Sequence, residues 1–109
     1  MAYDEGLLER LRDAMAGVPG VTEKKMFGGL CVLVRGNMCC GILDETLMAR
    51  VGPDQYAACL DLQHCREMDF TGKPLKGLVY VDPEGIAEDE ELAAWVGRCL
   101  AFMETLSPK

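Results

Sequence analysis

Cysteine and histidine are the side chains of this sequence with the widest chemistry, as metal ligands or as redox groups. Cys59 and Cys65 flank the single histidine, His64, and the other four cysteines are Cys31, Cys39, Cys40 and Cys99. A structural zinc site is typically formed by paired C-x2-4-C motifs, and the sequence has no such pair. Buried cysteine also behaves as a small hydrophobe. We therefore predict no metal ligand and no cofactor, and keep a thiol/His metal or redox site as an alternative hypothesis.

Catalytic chemistry needs groups that act together, and the sequence shows no such set. Neighbours in an extended segment point apart, so Cys65 and His64 do not form a nucleophile and base pair. No pair of carboxylates stands inside an apolar motif, and the acidic run at 82–91 is explained by a turn and a helix start. The sequence thus predicts no catalytic residue and a protein that is not an enzyme.

Cationic residues at strand ends and turns form the first candidate binding set: Lys24, Lys25, Arg35, Lys73 and Lys76. If they cluster in space, they could bind an anion, a nucleic acid or an acidic surface of a partner. The alternative is scattered solubilising charge, which also discourages pairing between sheet edges.

The segment Met26-Phe27-Gly28-Gly29 is the second candidate. Glycine lacks a Cβ, so a ligand could approach the backbone closely at Gly28 and Gly29, beside Phe27. A strand rather than a helix follows the glycines, which excludes a phosphate loop. The favoured interpretation is a bend or bulge in which Phe27 packs in the core.

Charge and composition limit the class of protein. The net charge is −7, and residues 81–109 contribute −5 of it, from seven Asp/Glu against two Lys/Arg. A negative net charge repels the phosphates of duplex DNA and so opposes autonomous DNA binding. A local basic patch is still compatible with such a net charge. No apolar run reaches the ~20 residues of a spanning helix, and the acidic N-terminus is unlike a signal peptide. We therefore expect a cytoplasmic protein that does not enter a membrane, with its cysteines as free thiols.

The elements that position these residues follow from periodicity and turn residues. Helices are predicted at about 4–16, 53–60 and 88–106, and strands at about 22–28, 30–35, 38–43, 46–51, 66–70 and 78–82. Asp4 caps the first helix, and Pro53 opens the second. The tetrad Thr71-Gly72-Lys73-Pro74 is expected to form the turn between the last two strands.

The central hairpin is predicted to turn at Gly36-Asn37. This register places Val34 opposite Cys39 and Val32 opposite Gly41, while the adjacent Cys39 and Cys40 point to opposite faces. Both faces of the hairpin are largely apolar. We therefore expect it to be central and covered on both sides, by helices or by a partner.

The element order predicts an α+β fold with one mainly antiparallel sheet of five to six strands and helices packed on it in two layers. With 109 residues, the chain is expected to form a single domain, residues 1–109, with one core.

Two segments give the sequence a family resemblance. Lys25-Met26-Phe27-Gly28-Gly29 with the apolar hairpin after it, and the later run 78–84 before an acidic helix start, resemble the N-terminal domain of the TfoX/Sxy competence-regulator family. The resemblance covers nearly the whole chain. It implies a bacterial, cytoplasmic α+β domain similar to secretion-chaperone-like folds, and a link to regulation of DNA uptake or transcription. Longer family members carry a C-terminal domain that this sequence does not contain, and the family provides no catalytic residues to transfer.

The sequence and the resemblance together favour a non-enzymatic regulatory domain that acts through an unidentified protein partner and forms a homodimer. Direct binding of nucleic acid or an anion through the basic set is the alternative, and the thiol/His site is the second alternative. The candidate ligand- or partner-binding residues are Lys24, Lys25, Phe27, Gly28, Gly29, Arg35, Lys73 and Lys76.

Overall fold

The computed structural model describes residues 3–26, 28–69 and 76–107. Their elements, in chain order, are α1 (Glu5–Ala14), β1 (Val21–Met26), β2 (Gly29–Val34), β3 (Asn37–Leu43), β4 (Thr46–Arg50), α2 (Pro53–Leu60), β5 (Cys65–Glu67), β6 (Leu78–Val81), a short 3-10 helix (Pro83–Ile86) and α3 (Asp89–Met103).

The strands form one sheet in the order β1-β2-β3-β4-β6-β5, and every neighbouring pair is antiparallel. The order of strands in the sheet follows the chain up to β4. β6 then pairs with β4, and β5, which precedes β6 in the chain, lies at the edge. The predicted α+β fold with a mainly antiparallel sheet is thus confirmed.

The helices pack on one face of this sheet and enclose the main core. Leu7, Leu8, Leu11 and Met15 form the apolar stripe of α1, and all are buried. On α3, the buried residues are Leu92, Trp95, Val96, Cys99 and Met103. They meet inward residues of the strands such as Ile42, Leu47 and Val81. We call this cluster the helix-side core.

An arginine fixes α1 against the start of α3. The guanidinium of Arg10 donates to the carbonyl oxygen of Ile86 at 2.7 Å and to the carboxylate of Asp89 at 3.0 Å. Glu88 and Glu91 form a capping box at the N-terminus of α3, which satisfies backbone N–H groups that have no partner within the helix. None of the described helices combines the length and the apolar character needed to cross a bilayer.

The opposite face of the sheet carries a second, smaller apolar cluster, rich in methionine. Its buried members are Cys31, Met38, Met48, Met68 and Tyr80. Met68 follows β5 directly and is fully buried within this cluster. The central hairpin is thus buried on both faces, as predicted, with the helices on one of them.

The predicted turn and register of that hairpin are wrong. Val34 pairs with Asn37, so the turn residues are Arg35 and Gly36, with φ angles of 52° and 84°. Positive φ at both central positions is typical of the turns that match the twist of a hairpin. Val32 pairs with Cys40 instead of Gly41, and Val34 does not face Cys39.

The expectation that Cys39 and Cys40 point to opposite faces is also wrong. The register shifts between Val32 and Leu33, since Leu33 pairs with Met38 and Val32 with Cys40. Cys39 is the extra residue of this β-bulge, and a bulge breaks the alternation of side chains along a strand. Both thiols consequently lie in the helix-side core.

Other boundaries shift for local reasons. The strand predicted at 66–70 is shorter and lies at Cys65–Glu67, and α3 ends at Met103 rather than near residue 106. Within the run 82–91, predicted to form a turn and a helix start, Pro83 and Glu84 open a 3-10 helix. The predicted turn Thr71-Gly72-Lys73-Pro74 lies outside the described residues.

The two glycines of the Met-Phe-Gly-Gly segment serve the β1–β2 connection. Met26 pairs with Gly29, so the chain reverses within two residues, and Gly28 has a φ of 77°. Gly29 is buried, and a Cβ there would overlap the carbonyl oxygen of Ile42 in β3. The close approach made possible by Gly29 is therefore that of a neighbouring strand.

Candidate functional site

The described cationic residues predicted as a binding set lie in different parts of the sheet. Lys24 and Lys25 are exposed on the edge strand β1, and Lys76 is exposed just before β6. Arg35 is half-buried in the β2–β3 turn, where it donates to the carbonyl oxygen of Met103 at 3.3 Å. Phe27 and Lys73 lie outside the described residues.

Strand geometry separates these cations. β1 and β6 are four strand spacings apart in the sheet, about 19 Å at ~4.8 Å per spacing. Lys24 pairs with Cys31, and Arg35 follows four residues later, about 13 Å along the strand. The sheet thus does not bring Lys24, Arg35 and Lys76 together, and their role in anion binding stays a prediction.

The cysteine side chains lie closer together in the structure than the described cationic residues do. Five of the six cysteines belong to or pack against the helix-side core, and only Cys31 lies in the methionine-rich cluster. The sulfur of Cys40 lies 3.8 Å from that of Met15. Among the described residues, no group of three or more His, Cys, Asp or Glu side chains is arranged to hold a metal ion.

Hydrogen bonding between thiols sets their acidity in the core. Interaction with the neighbouring thiols of Cys40 and Cys99 lowers the pKa of Cys39. The same interaction, together with burial, raises the pKa values of Cys40 and Cys99. Burial alone raises the pKa of Cys31 to about 11. Most of these thiols are buried, which is typical of structural rather than reactive cysteines.

The surface offers a depression of 560 Å³ near the start of α1, lined by Tyr3, Asp4, Asp44, Glu45, Thr46 and Pro83. Its charged lining residues are all acidic. Asp4 is already engaged as the N-cap of α1, where its carboxylate accepts from the backbone N–H groups of Gly6 and Leu7. The lining is typical of a solvent-exposed acidic surface, and we do not assign a binding role to it.

A groove of 380 Å³ between α3 and the α2–β5 turn has a more varied lining: Leu62, Gln63, His64, Gly85, Glu91, Ala94, Trp95 and Arg98. We call it the Trp95 groove. Leu62 is 40% exposed, although large apolar side chains are mostly covered in this fold. The groove therefore combines an exposed aliphatic side chain with a tryptophan and an arginine, and the last two types are enriched among the residues that dominate binding energy.

Backbone contacts fix the turn that forms one wall of the groove. The N–H of Leu62 donates to the carbonyl oxygen of Cys59 at 3.0 Å, and the carbonyl oxygen of His64 accepts from the N–H of Asp82 at 2.8 Å. His64 has a φ of 65°, an uncommon conformation for a residue with a Cβ. A Cβ at Gly85 would lie 3.0 Å from that of His64, so this glycine lets the turn pack closely.

Arg98 covers Trp95 in this groove. Its guanidinium carbon lies 4.6 Å from the centre of the indole ring, within the range of a cation–π contact. The other five arginines have hydrogen-bond partners: Asp89 and Ile86 for Arg10, Glu23 for Arg12, Met103 for Arg35, Met38 for Arg50 and Asp82 for Arg66. Among the described residues, none accepts a hydrogen bond from Arg98. It is a half-buried cation whose donors have no acceptor in the described ranges.

The sequence did not indicate this groove. Its walls come from residues 62–64 and 91–98, which no local pattern connects, and Trp95 belongs to the buried apolar stripe of α3. The ring is indeed only 4% exposed. The spacing of Trp95 and Arg98, three residues apart on a helix, was the one available signal, because side chains at that spacing are neighbours.

Comparison with known proteins identifies the family. Residues 13–103 match the TfoX N-terminal domain. The chain belongs to this family. Neither a curated protein nor a solved structure matches the chain. Membership in the TfoX N-terminal domain family indicates a competence-related regulatory domain, and the resemblance seen in the sequence is confirmed. All the residues that line the Trp95 groove lie within the matched range.

Proposed function

We propose that this chain is a non-enzymatic regulatory domain of a bacterial cytoplasm that acts by binding a protein partner in the Trp95 groove. The observation that carries this proposal is the groove itself, in which an exposed Leu62 lies with Trp95 and with Arg98, a cation that has no acceptor among the described residues. Tryptophan and arginine are the residues most enriched among those that dominate binding energy. Family membership supports a role in competence or transcription through such a partner.

The acidic surface favours a protein over DNA as this partner. A net charge of −7 repels phosphate backbones, and the described lysines are spread over the sheet. The proposal covers residues 1–109 as one domain, and it includes self-association, because a second copy of the chain is itself a protein partner.

Site-specific photo-crosslinking tests the proposal. A photoreactive amino acid is placed at Ala94, which lines the groove, and in a matched variant at Thr22, which is exposed on β1 at the far edge of the sheet. We expect a discrete adduct in living cells from position 94 and none from position 22. An adduct of twice the 11.9 kDa chain mass identifies a homodimer.

Two results would contradict the proposal. One is the absence of any discrete adduct from position 94. The other is an identical pattern of adducts from both positions, which would mean that contact at the groove is nonspecific.

A further inference from the structure

We infer that the partner segment bound by the Trp95 groove carries a carboxylate beside an aliphatic side chain, and that Arg98 is the residue that selects the carboxylate. This inference rests on the proposed function and adds the chemistry of the partner to it.

The first argument is the state of Arg98. A guanidinium offers five N–H donors in a planar fork that fits a carboxylate with two parallel hydrogen bonds. Five arginines of this chain already donate to a carboxylate or a carbonyl oxygen, whereas Arg98 has no acceptor in the described part of the chain. Its donors are therefore available to an acceptor from outside.

The second argument is preorganisation. Arg98 lies over the indole of Trp95 at 4.6 Å, so its side chain is already restricted before a partner arrives. Less conformational entropy is then lost when a carboxylate binds, and more of the interaction appears as affinity. Lysine, with a compact ammonium on a flexible stem, could not reproduce this planar contact.

The third argument concerns the competing acid in the groove. Glu91 is used within α3, where its carboxylate accepts from the N–H of Glu88 at 3.0 Å. It precedes Arg98 by seven residues, about 10 Å along the helix axis. The hydrogen bond to Glu88 holds the Glu91 carboxylate at the N-terminal end of α3, whereas Arg98 belongs to the second half of the helix. Leu62, 40% exposed, supplies the apolar surface beside the cation.

Small molecules of matched shape test this inference. N-acetyl-leucine carries a carboxylate and an aliphatic side chain, and N-acetyl-leucinamide differs from it by lacking the charge. Trp95 is the only tryptophan in the chain, so its indole N–H signal in NMR spectra reports on this groove alone. We expect N-acetyl-leucine to shift that signal saturably, with a dissociation constant on the order of 1–10 mM. The amide should bind about tenfold more weakly or not at all.

Variants assign the effect to the guanidinium. Arg98→Ala should weaken binding of N-acetyl-leucine about tenfold, and Arg98→Lys should lie between it and the unmodified chain. Arg66→Ala is the matched control, because Arg66 also stacks on an aromatic ring, that of Tyr80, but is paired with Asp82. It should leave the response unchanged.

Three outcomes would overturn the inference. Equal shifts from the acid and the amide would show an apolar groove without charge selection, and the proposed function would stand. Inorganic phosphate that shifts the indole signal as strongly as N-acetyl-leucine would show a general anion site. No shift from either compound, while crosslinks at position 94 persist, would show that the partner uses other chemistry.

Discussion

The hydroxyl of Tyr56 is buried and has no hydrogen-bond partner among the described residues. A buried polar group without a partner loses its hydrogen bonds to water and gains none in return. Burial accordingly raises the pKa of Tyr56, with further contributions from the charges of Glu67 and Cys65. The ring, in contrast, packs against the helix-side core.

Replacement of Tyr56 by phenylalanine should therefore leave the free energy of unfolding unchanged or raise it by up to about 1 kcal/mol, because the ring stays and the unpaired hydroxyl leaves. Urea denaturation measures this. Tyr56→Ala is the control that removes the ring and should destabilise the chain. A loss of more than about 1 kcal/mol in Tyr56→Phe would mean that the hydroxyl has a partner.

Cys65 is the one cysteine that is not fully buried, and burial raises its pKa to about 11. Thiolate is the reactive form, so alkylation of Cys65 should keep accelerating about tenfold per pH unit well beyond pH 9. Mass spectrometry after timed iodoacetamide treatment measures the rate. The chain unfolded in guanidinium is the control, with a plateau near pH 8.5–9. A plateau near pH 9 in the folded chain would contradict the raised pKa.

The sign of the linked effect on stability follows from the same shift. The folded state favours the neutral thiol, so this contribution to stability is complete below the unfolded pKa of about 8.5. It is lost as the pH rises towards the folded value of about 11.

At the scale of elements, the β1–β2 hairpin depends on one glycine for steric reasons. Gly29→Ala places a Cβ against the carbonyl oxygen of Ile42 in the neighbouring strand. Backbone cannot move aside as a flexible side chain does, so we expect a loss of about 1–3 kcal/mol or more in the free energy of unfolding.

Gly97→Ala is the matched control. Gly97 lies inside α3, and a Cβ there would meet nothing within 4 Å. Alanine is the better helix former, so this variant should gain about 0.5–1 kcal/mol. Urea midpoints compare the two variants directly. Equal midpoints would show that the close approach at Gly29 does not constrain the sheet.

Periodicity identified the elements well where it extended over many residues. The stripes of α1 and α3 and the glycines and prolines at turns placed each strand and helix within a few positions. The hairpin register failed because Arg35-Gly36 and Gly36-Asn37 are both plausible turns, and a bulge leaves no mark in the sequence. The Trp95 groove could not be predicted, since its walls are formed by the α2–β5 turn on one side and by Gly85 and α3 on the other, which are far apart in the sequence.

At the scale of the whole molecule, the net charge of −7 opposes binding to nucleic acid. We expect no measurable binding to duplex DNA at physiological salt in a fluorescence anisotropy titration. The charge reversal Lys24→Glu with Lys25→Glu should leave this result unchanged. DNA binding by the unmodified chain that this double variant abolishes would instead support the basic-patch alternative.

Because Cys39 is an unpaired extra residue in β3, the β2–β3 pairing should tolerate a deletion of one residue at this position. Pairing resumes on both sides of it, with Leu33 opposite Met38 and Val32 opposite Cys40. Loss of the single residue Cys39 would leave every one of these pairs in place and would make the ladder regular. The extra residue is thus dispensable for topology. What it adds is a sulfur atom in the helix-side core, where the thiols of Cys40 and Cys99 lower its pKa.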